Sequence, residues 1–263
     1  MLFSIVSDYK EAFKYKYVIG SFVSSNLKVR YRRSVLGYVW TVLVPIFQYG
    51  VIAIVLSQLA RSAAENYFGN FFSGAILFGF FSAAVSKSTL VFLSNEHYLK
   101  KVAIPKLVYI LSDVFYELAN FLISFVTIVL VGTAFGIFKV SLPVLFVPVG
   151  LILFVVFILG IIKLLAVAGV FFRDLKYIVP VLMQATFFMS PIAYTIEQMP
   201  KKFQIIIALN PIYYFLEIIR RPIVHGKMPE VELIMICLII SISSFLIGRV
   251  FLKKFENKVI FKL

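Results

Sequence analysis

Asp113 and Glu117 lie four residues apart in an otherwise apolar run, so a helix carries both carboxylates on one face. That spacing could serve an acid/base pair, but two polar groups that pack or gate a helix are the better reading. Both fall within two or three turns of the start of their run, where water still reaches. Lys87 and Lys163 are also embedded in apolar runs. A charge near the centre of a spanning helix costs roughly 2.5–3.5 kcal/mol on insertion scales. Each lysine can be read as snorkelling to the nearer interface, or as part of a polar wall that attracts an anionic substrate. His97 and His225 fall on opposite faces of the expected membrane and cannot share a metal. Cys237 is the single cysteine, which excludes an internal disulfide and a multi-cysteine metal site. No Gly-x-x-x-x-Gly-Lys-Ser/Thr loop is present to hold a nucleotide phosphate. The chain is therefore expected to bind no metal and no cofactor of its own.

The elements that position these groups are set by composition. Of 263 residues, 62% are apolar, 17% aromatic and 14% charged, too little polar surface to keep such a core in water. The chain is an integral membrane protein. Its net charge of +14 does not point to nucleic acid, because the basic residues cluster at the ends of apolar runs. There they set topology and meet anionic lipid head groups.

One polar island stands out. Residues 94–106, SNEHYLKKVAIPK, separate the apolar runs 66–93 and 107–135. Lys100, Lys101 and Lys106 place the island on the cytoplasmic side. His97 through Ala103 has room for about two helical turns, which Pro105 ends or kinks. Such a helix between two spans can transmit force to a cytoplasmic partner; the plainer reading is a basic loop.

Residues 1–33 hold seven Lys/Arg, with Phe3, Val6, Phe13 and Tyr17 at helical spacing. This fits an interfacial amphipathic helix or an orientation-setting tail. No cleavable signal peptide is expected. Spans are expected over about 34–60, 66–93, 107–135, 140–172, 177–196 and 231–250, each long enough for a bilayer core of about 20 helical residues. Arg61, Glu65 and Lys139 mark outer turns. Residues 197–230 are ambiguous, because 203–219 is apolar but broken at Asn210-Pro211 and charged at Glu217. As a full span it leaves 15 Lys/Arg inside and 9 outside; as an outer-face re-entrant hairpin it leaves 17 and 7, counting Lys87 and Lys163 on neither side. Re-entry is the better reading, since broken backbone at membrane depth is tolerated where protein covers it. The expected fold is all-α, with six transmembrane helices, an N-terminal interfacial helix, a re-entrant hairpin between helices 5 and 6, both termini cytoplasmic and no soluble domain. Aromatics crowd the second and fifth runs (Tyr67, Phe68, Phe71, Phe72, Phe78, Phe80, Phe81, Phe187, Phe188). They suit lipid-facing packing or a lining on which sugar rings slide.

The stretches LKVRYRRSVLGYVWTVLVPI (27–46), NEHYLKKVAIPKLVYILSD (95–113), FRDLKYIVPVLMQATFFMSPIAY (172–194) and NPIYYFLEIIRRPI (210–223), in this order, resemble the permease subunits of ABC-2-type exporters of lipid-linked polysaccharide, such as O-antigen, capsule and teichoic acid. The resemblance implies a homodimer in the bacterial cytoplasmic membrane, with a channel between protomers and two copies of a separate ATPase subunit that binds ATP and Mg. It makes Asn95, Glu96, His97, Tyr98, Leu99, Lys100 and Lys101 candidates for ATPase coupling. A polyprenyl-pyrophosphate-linked glycan would then meet Arg30, Arg32, Arg33, Lys100, Lys101 and Arg173, since guanidinium groups bind phosphate oxygens in pairs. Phe71, Phe72, Phe78, Phe187 and Phe188 are candidates for the channel lining. Export of a drug or small lipid is the related alternative. A membrane-embedded transferase acting on a polyprenyl carrier is the other, although such enzymes need acidic residues for a metal or base, and few are present.

Overall fold

A computed structural model describes residues 2–31, 34–59, 67–138, 141–196 and 199–263. Among them the regular structure is entirely helical. The basic N-terminal segment forms two helices, α1 (Leu2–Lys14) and α2 (Lys16–Tyr31), where the sequence led us to expect one. Its packed face carries Ala12 and Ile19, whereas Phe13 and Tyr17 point away, 58% and 80% exposed. Arg32, Arg33, Arg61, Glu65 and Lys139 lie outside the described residues.

A 3₁₀ turn (Gly37–Val39) leads into α3 (Trp40–Leu59), followed by α4 (Tyr67–Ser88). The run expected to continue to residue 93 stops at Ser88, and α5 (Val91–Ser94) sets off after a bend. The bend is where another helix crosses. A Cβ on Gly169 would collide with the Thr89 carbonyl oxygen, so only glycine permits this backbone approach. Ser88 and Thr89 donate to the carbonyls of Val85 and Ser86 (2.7 and 2.9 Å), satisfying acceptors the ending helix leaves open. Next come α6 (Glu96–Lys101) and α7 (Lys106–Ala134). After a 3₁₀ turn at Leu142–Phe146 come α8 (Val147–Phe171) and α9 (Leu175–Met189). The segment expected as a re-entrant hairpin holds α10 (Lys201–Ala208) and α11 (Pro211–Arg220), which a π-helical turn extends to His225. The last helix, α12, runs from Val231 to Lys262.

Four of these helical stretches are long and apolar enough to cross a membrane: Tyr67–Ser88, Lys106–Ala134, Leu142–Phe171 and Val231–Lys262. A fifth is added if α10 and α11 count as one broken span, bent by 87°. The break falls at the Asn-Pro pair. The Asn210 side chain accepts from the Ile212 amide at 3.0 Å, and Pro211 occupies the first helical position, where its missing N–H does no harm. In α12 the expected boundary at residue 250 is passed by twelve residues. The same helix carries the C-terminal basic cluster out of the membrane, because 32 residues at 1.5 Å each reach about 48 Å.

The core is built on α8 and α12. Gly160 and Gly248 let their backbones touch, as small residues do between spanning helices. Ser241 and Ser244 donate across to the carbonyls of Leu153 and Phe157 at 2.7 and 2.9 Å. Phe80, Phe81, Phe121, Phe154, Phe157 and Phe215 form one ring cluster joining α4, α7, α8 and α11, with centroid separations down to 4.8 Å. Phe71 and Phe78, 0% and 4% exposed, belong to this packed interior, so they fill the protomer rather than face a cavity. Phe72 and Phe187 are half-buried, Phe187 standing edge-on to Phe78 at 5.3 Å, and Phe188 is 69% exposed.

Candidate functional site

The island of polar residues folds as a short helix held by one apolar anchor. Ser94 and Asn95 donate back to the carbonyls of Leu90 and Val91, both at 2.8 Å, and so close α5. In α6, Leu99 is buried against the core, while His97, Tyr98, Lys100 and Lys101 face outward. Lys100 donates to Glu96 one turn back at 2.6 Å, and this bond holds the exposed Glu96 carboxyl below its usual range. Arg173, in the turn between α8 and α9, adds its field at Glu96, so two of the cytoplasmic loops read from the sequence meet here. The Tyr98 ring stands edge-on to Phe22 of α2 at 5.5 Å. After α6 the chain is extended through Val102 to Pro105, and α7 begins at Lys106. The island is thus a short helical element anchored by Leu99, with an open polar face.

Deeper in the bundle, three of the embedded charges meet. Lys87 of α4 reaches across to Asp113 and Glu117 of α7, at 3.2 and 3.6 Å, with its ammonium 3.9 Å from the centre of the Tyr116 ring. The two carboxylates share a face and share one cation, which makes them a structural and electrostatic cluster rather than a proton-transfer pair. Arg30 of α2 extends this network by donating to the Tyr116 hydroxyl at 3.4 Å. Arg30, Glu117, Trp40, Asn120 and Ser124 border a groove of about 170 Å³. Arg30 is therefore engaged at this groove, whereas Lys100, Lys101 and Arg173 belong to the island. Lys163 departs from the snorkelling reading. It is 1% exposed, and its ammonium sits 3.6 Å from the centre of the Phe245 ring on α12.

Two clusters that reading along the chain did not anticipate tie remote elements together. On the island's side, Asp8 of α1 accepts from Arg249 at 2.6 and 3.1 Å and from Lys253 at 3.1 Å, both on α12. At the other end of α4, Arg220 of α11 donates to Glu217 (2.9 Å) and to the carbonyls of Asn70 and Pro191 (3.1 and 3.0 Å). Only a weak signal pointed to the second, an arginine and a glutamate three apart inside an apolar run. None pointed to the first, whose partners are 241 positions apart.

The Asp8 contact has a defined pH signature. Burial alone would raise its carboxyl, but the hydrogen bonds from Arg249 and Lys253 outweigh that and hold it below the ordinary 3.8. A group whose folded value is depressed stabilises above its unfolded value and loses that contribution as the pH falls through the folded one. Protection of α1 amides, corrected for intrinsic exchange, is expected to stay level from about pH 8 to about pH 5 and to fall only below about pH 4. Asp8→Asn is expected to speed α1 exchange about tenfold at neutral pH, a modest loss because the carboxylate is partly exposed. Unchanged exchange in that variant would show that α1 is held elsewhere.

The arrangement is that of a polytopic helical membrane protein with a short helix that presents an open polar face. The chain belongs to the ABC-2 type transporter family, whose pattern matches residues 17–223. It is 28% identical over 235 residues to the O-antigen export system permease protein RfbA of Myxococcus xanthus, covering 89% of this chain and 90% of that one. It is also 30% identical over 189 residues to a Klebsiella pneumoniae protein of the same name, covering 72% and 73%. The chain is thus a permease subunit and not itself an enzyme, and its family implies association with a partner ATPase.

Proposed function

We propose that this chain is the membrane subunit of an ATP-driven exporter that moves a polyprenyl-pyrophosphate-linked polysaccharide, O-antigen-like, outward across the bacterial cytoplasmic membrane. The O-antigen export role that the relatives are named for supports the cargo, and the geometry of α6 supports the mode of drive. Helices α3, α4, α7, α8, α9 and α12 make the six crossings, and α10–α11 re-enters from the outer face. Two contacts support that topology. The C-terminal end of α12 lies against α1 through Asp8, and both border the segment after α6. Arg220 lies against Asn70 at the opposite end of α4 from the island. A chain whose 203–219 stretch crossed the membrane would put these ends on the wrong sides. Both termini are then cytoplasmic.

Two copies form the channel, with Phe188 and its half-buried neighbours Phe72 and Phe187 on its wall, and each copy seats one ATPase subunit on α6. Lys100, Lys101 and Arg173 present a basic surface to the pyrophosphate or to that ATPase; Arg30 lines the groove beside Glu117, and Arg32 and Arg33 follow it in sequence.

The single observation that carries the reading is the short helix α6, anchored by Leu99 and placed between two long spanning helices. Co-purification of the chain with its ATPase, together with stimulated hydrolysis, tests the exporter reading; neither binding nor stimulation would end it. Lys100→Glu combined with Lys101→Glu is expected to leave hydrolysis within about twofold while export falls at least about tenfold. The fold should tolerate the change, since Lys100 and Glu96 form an exposed pair that solvent screens. Normal coupling in that variant would remove α6 as the lever.

A further inference from the structure

On the island's side of the bundle, α1, the start of α7, α8 and the charged end of α12 enclose an open-mouthed cavity of about 510 Å³. One part of its wall is apolar, with Leu99, Val102, Ile104, Leu252 and Ile260; the other carries charge. Four cations (Lys106, Lys163, Arg249, Lys253) face three carboxylates (Asp8, Glu11, Glu256), leaving a surplus of one positive charge. Asp8 is shared by Arg249 and Lys253. Lys163 lies eight residues before the end of α8, about 12 Å inside. It is 1% exposed, and its ammonium has only the rings of Phe245 and Tyr9 beside it, 3.6 and 5.3 Å away. Neither the Lys163 ammonium nor the Tyr9 hydroxyl has a hydrogen-bond acceptor among the described residues, although both are buried and both line this cavity. Buried donors of this kind are costly unless an acceptor reaches them.

We propose that this cavity binds the phosphodiester head group of an anionic glycerophospholipid of the cytoplasmic leaflet. Its phosphate oxygens accept from Lys163 and Tyr9, and the start of its acyl chains lies on the apolar wall. The charge count favours this ligand over a polyprenyl pyrophosphate. One surplus cation matches the single negative charge of a phosphodiester, whereas a pyrophosphate brings at least two. The site is separate from the coupling face of α6 and does not depend on which cargo the exporter moves.

The test is native mass spectrometry of the full chain released from nanodiscs of phosphatidylcholine doped with phosphatidylglycerol. The parent protein is expected to retain phosphatidylglycerol in preference to phosphatidylcholine. Lys163→Met, which removes a buried charge without removing bulk, is expected to lower that retention about tenfold, the usual loss for a charge-assisted bond. Ala103→Trp, at the cavity wall, is expected to do the same by filling space with the charges intact. Equal retention of both lipids, or retention unchanged in both variants, would overturn the proposal. So would displacement of the lipid by millimolar sodium phosphate, which would make the site one for free phosphate. Displacement by farnesyl pyrophosphate at lower concentration than by soluble phosphatidylglycerol would assign it to a polyprenyl pyrophosphate instead.

Discussion

Replacing Lys87 with Met is expected to lower stability by about 3–5 kcal/mol, enough to abolish most of the folded yield of a marginally stable protein. The substitution leaves Asp113 and Glu117, whose side chains are 12% and 10% exposed, without their shared cation in the middle of a helix pair. Neither carboxylate can return to bulk water without parting α4 from α7. Each must stay charged in a poorly solvating site or take up a proton, and either outcome costs free energy that the shared cation now spares. The triple variant Lys87→Met, Asp113→Asn, Glu117→Gln removes all three charges and is expected to recover most of the loss, because an apolar or neutral replacement of a whole buried ion cluster is close to neutral. Thermal unfolding in detergent reads both. A single variant as stable as the parent would show that the cluster contributes nothing. The triple variant also separates the two roles open to these residues. If it folds and still exports, the cluster serves packing alone; if it folds and does not export, the cluster belongs to the path of the cargo.

The second large effect is expected at Arg220. Its guanidinium is 6% exposed and joins three elements at once: Glu217 on its own helix, Asn70 at the start of α4 and Pro191 after α9. Arg220→Met leaves two carbonyls without their donor and leaves Glu217 only the longer contact to Arg221 (3.6 Å), and is expected to cost about 3–5 kcal/mol. Arg220→Lys is expected to recover little, because a compact ammonium on a flexible stem cannot reproduce the rigid fork that serves three acceptors in different directions. Gly74 faces the same group: a Cβ there would come within 2.7 Å of an Arg220 terminal nitrogen. Gly74→Ala is therefore expected to lower stability by a smaller amount, about 1–3 kcal/mol, as the guanidinium is pushed aside. Unfolding midpoints of the three variants should rank Gly74→Ala above Arg220→Lys and Arg220→Met. A destabilisation of Arg220→Met no larger than that of an exposed substitution would mean that the hairpin is held by its apolar face alone. Phe215, Leu216, Ile218 and Ile219, all fully buried, are the residues that would then carry it.

The fold was legible wherever one local property decided it. Apolar length marked Tyr67–Ser88, Lys106–Ala134, Leu142–Phe171 and the first part of Val231–Lys262, because a bilayer imposes a length that a short window of sequence reveals. Asn210-Pro211 marked the 87° bend for an equally local reason, since proline both begins α11 and cannot continue α10. The short helix α6 was legible only as a possibility beside the plainer reading of a basic loop, and it starts at Glu96 and ends at Lys101 rather than running from 97 to 103. The ends were less so. α12 ran on past residue 250 because basic side chains are good helix formers and carry no stop signal. α4 stopped at Ser88 because α8 crosses there, which no residue in 66–93 announces.

By itself, the sequence determined that this is a helical membrane protein, with a polar island between two apolar runs, no phosphate loop of its own and a break at Asn210-Pro211. Those properties reside in the hydropathy and backbone chemistry of neighbouring residues. Only the tertiary structure decided that Lys87 answers Asp113 and Glu117, that Asp8 answers Arg249 and Lys253, that Lys163 points inward to a cavity, and that Phe71 and Phe78 fill the protomer. Each of these depends on how one helix is rotated and shifted against another. Rotation by half a turn exchanges a buried face for an exposed one without altering a single residue, and close approaches such as Gly160 on Gly248 select among those rotations.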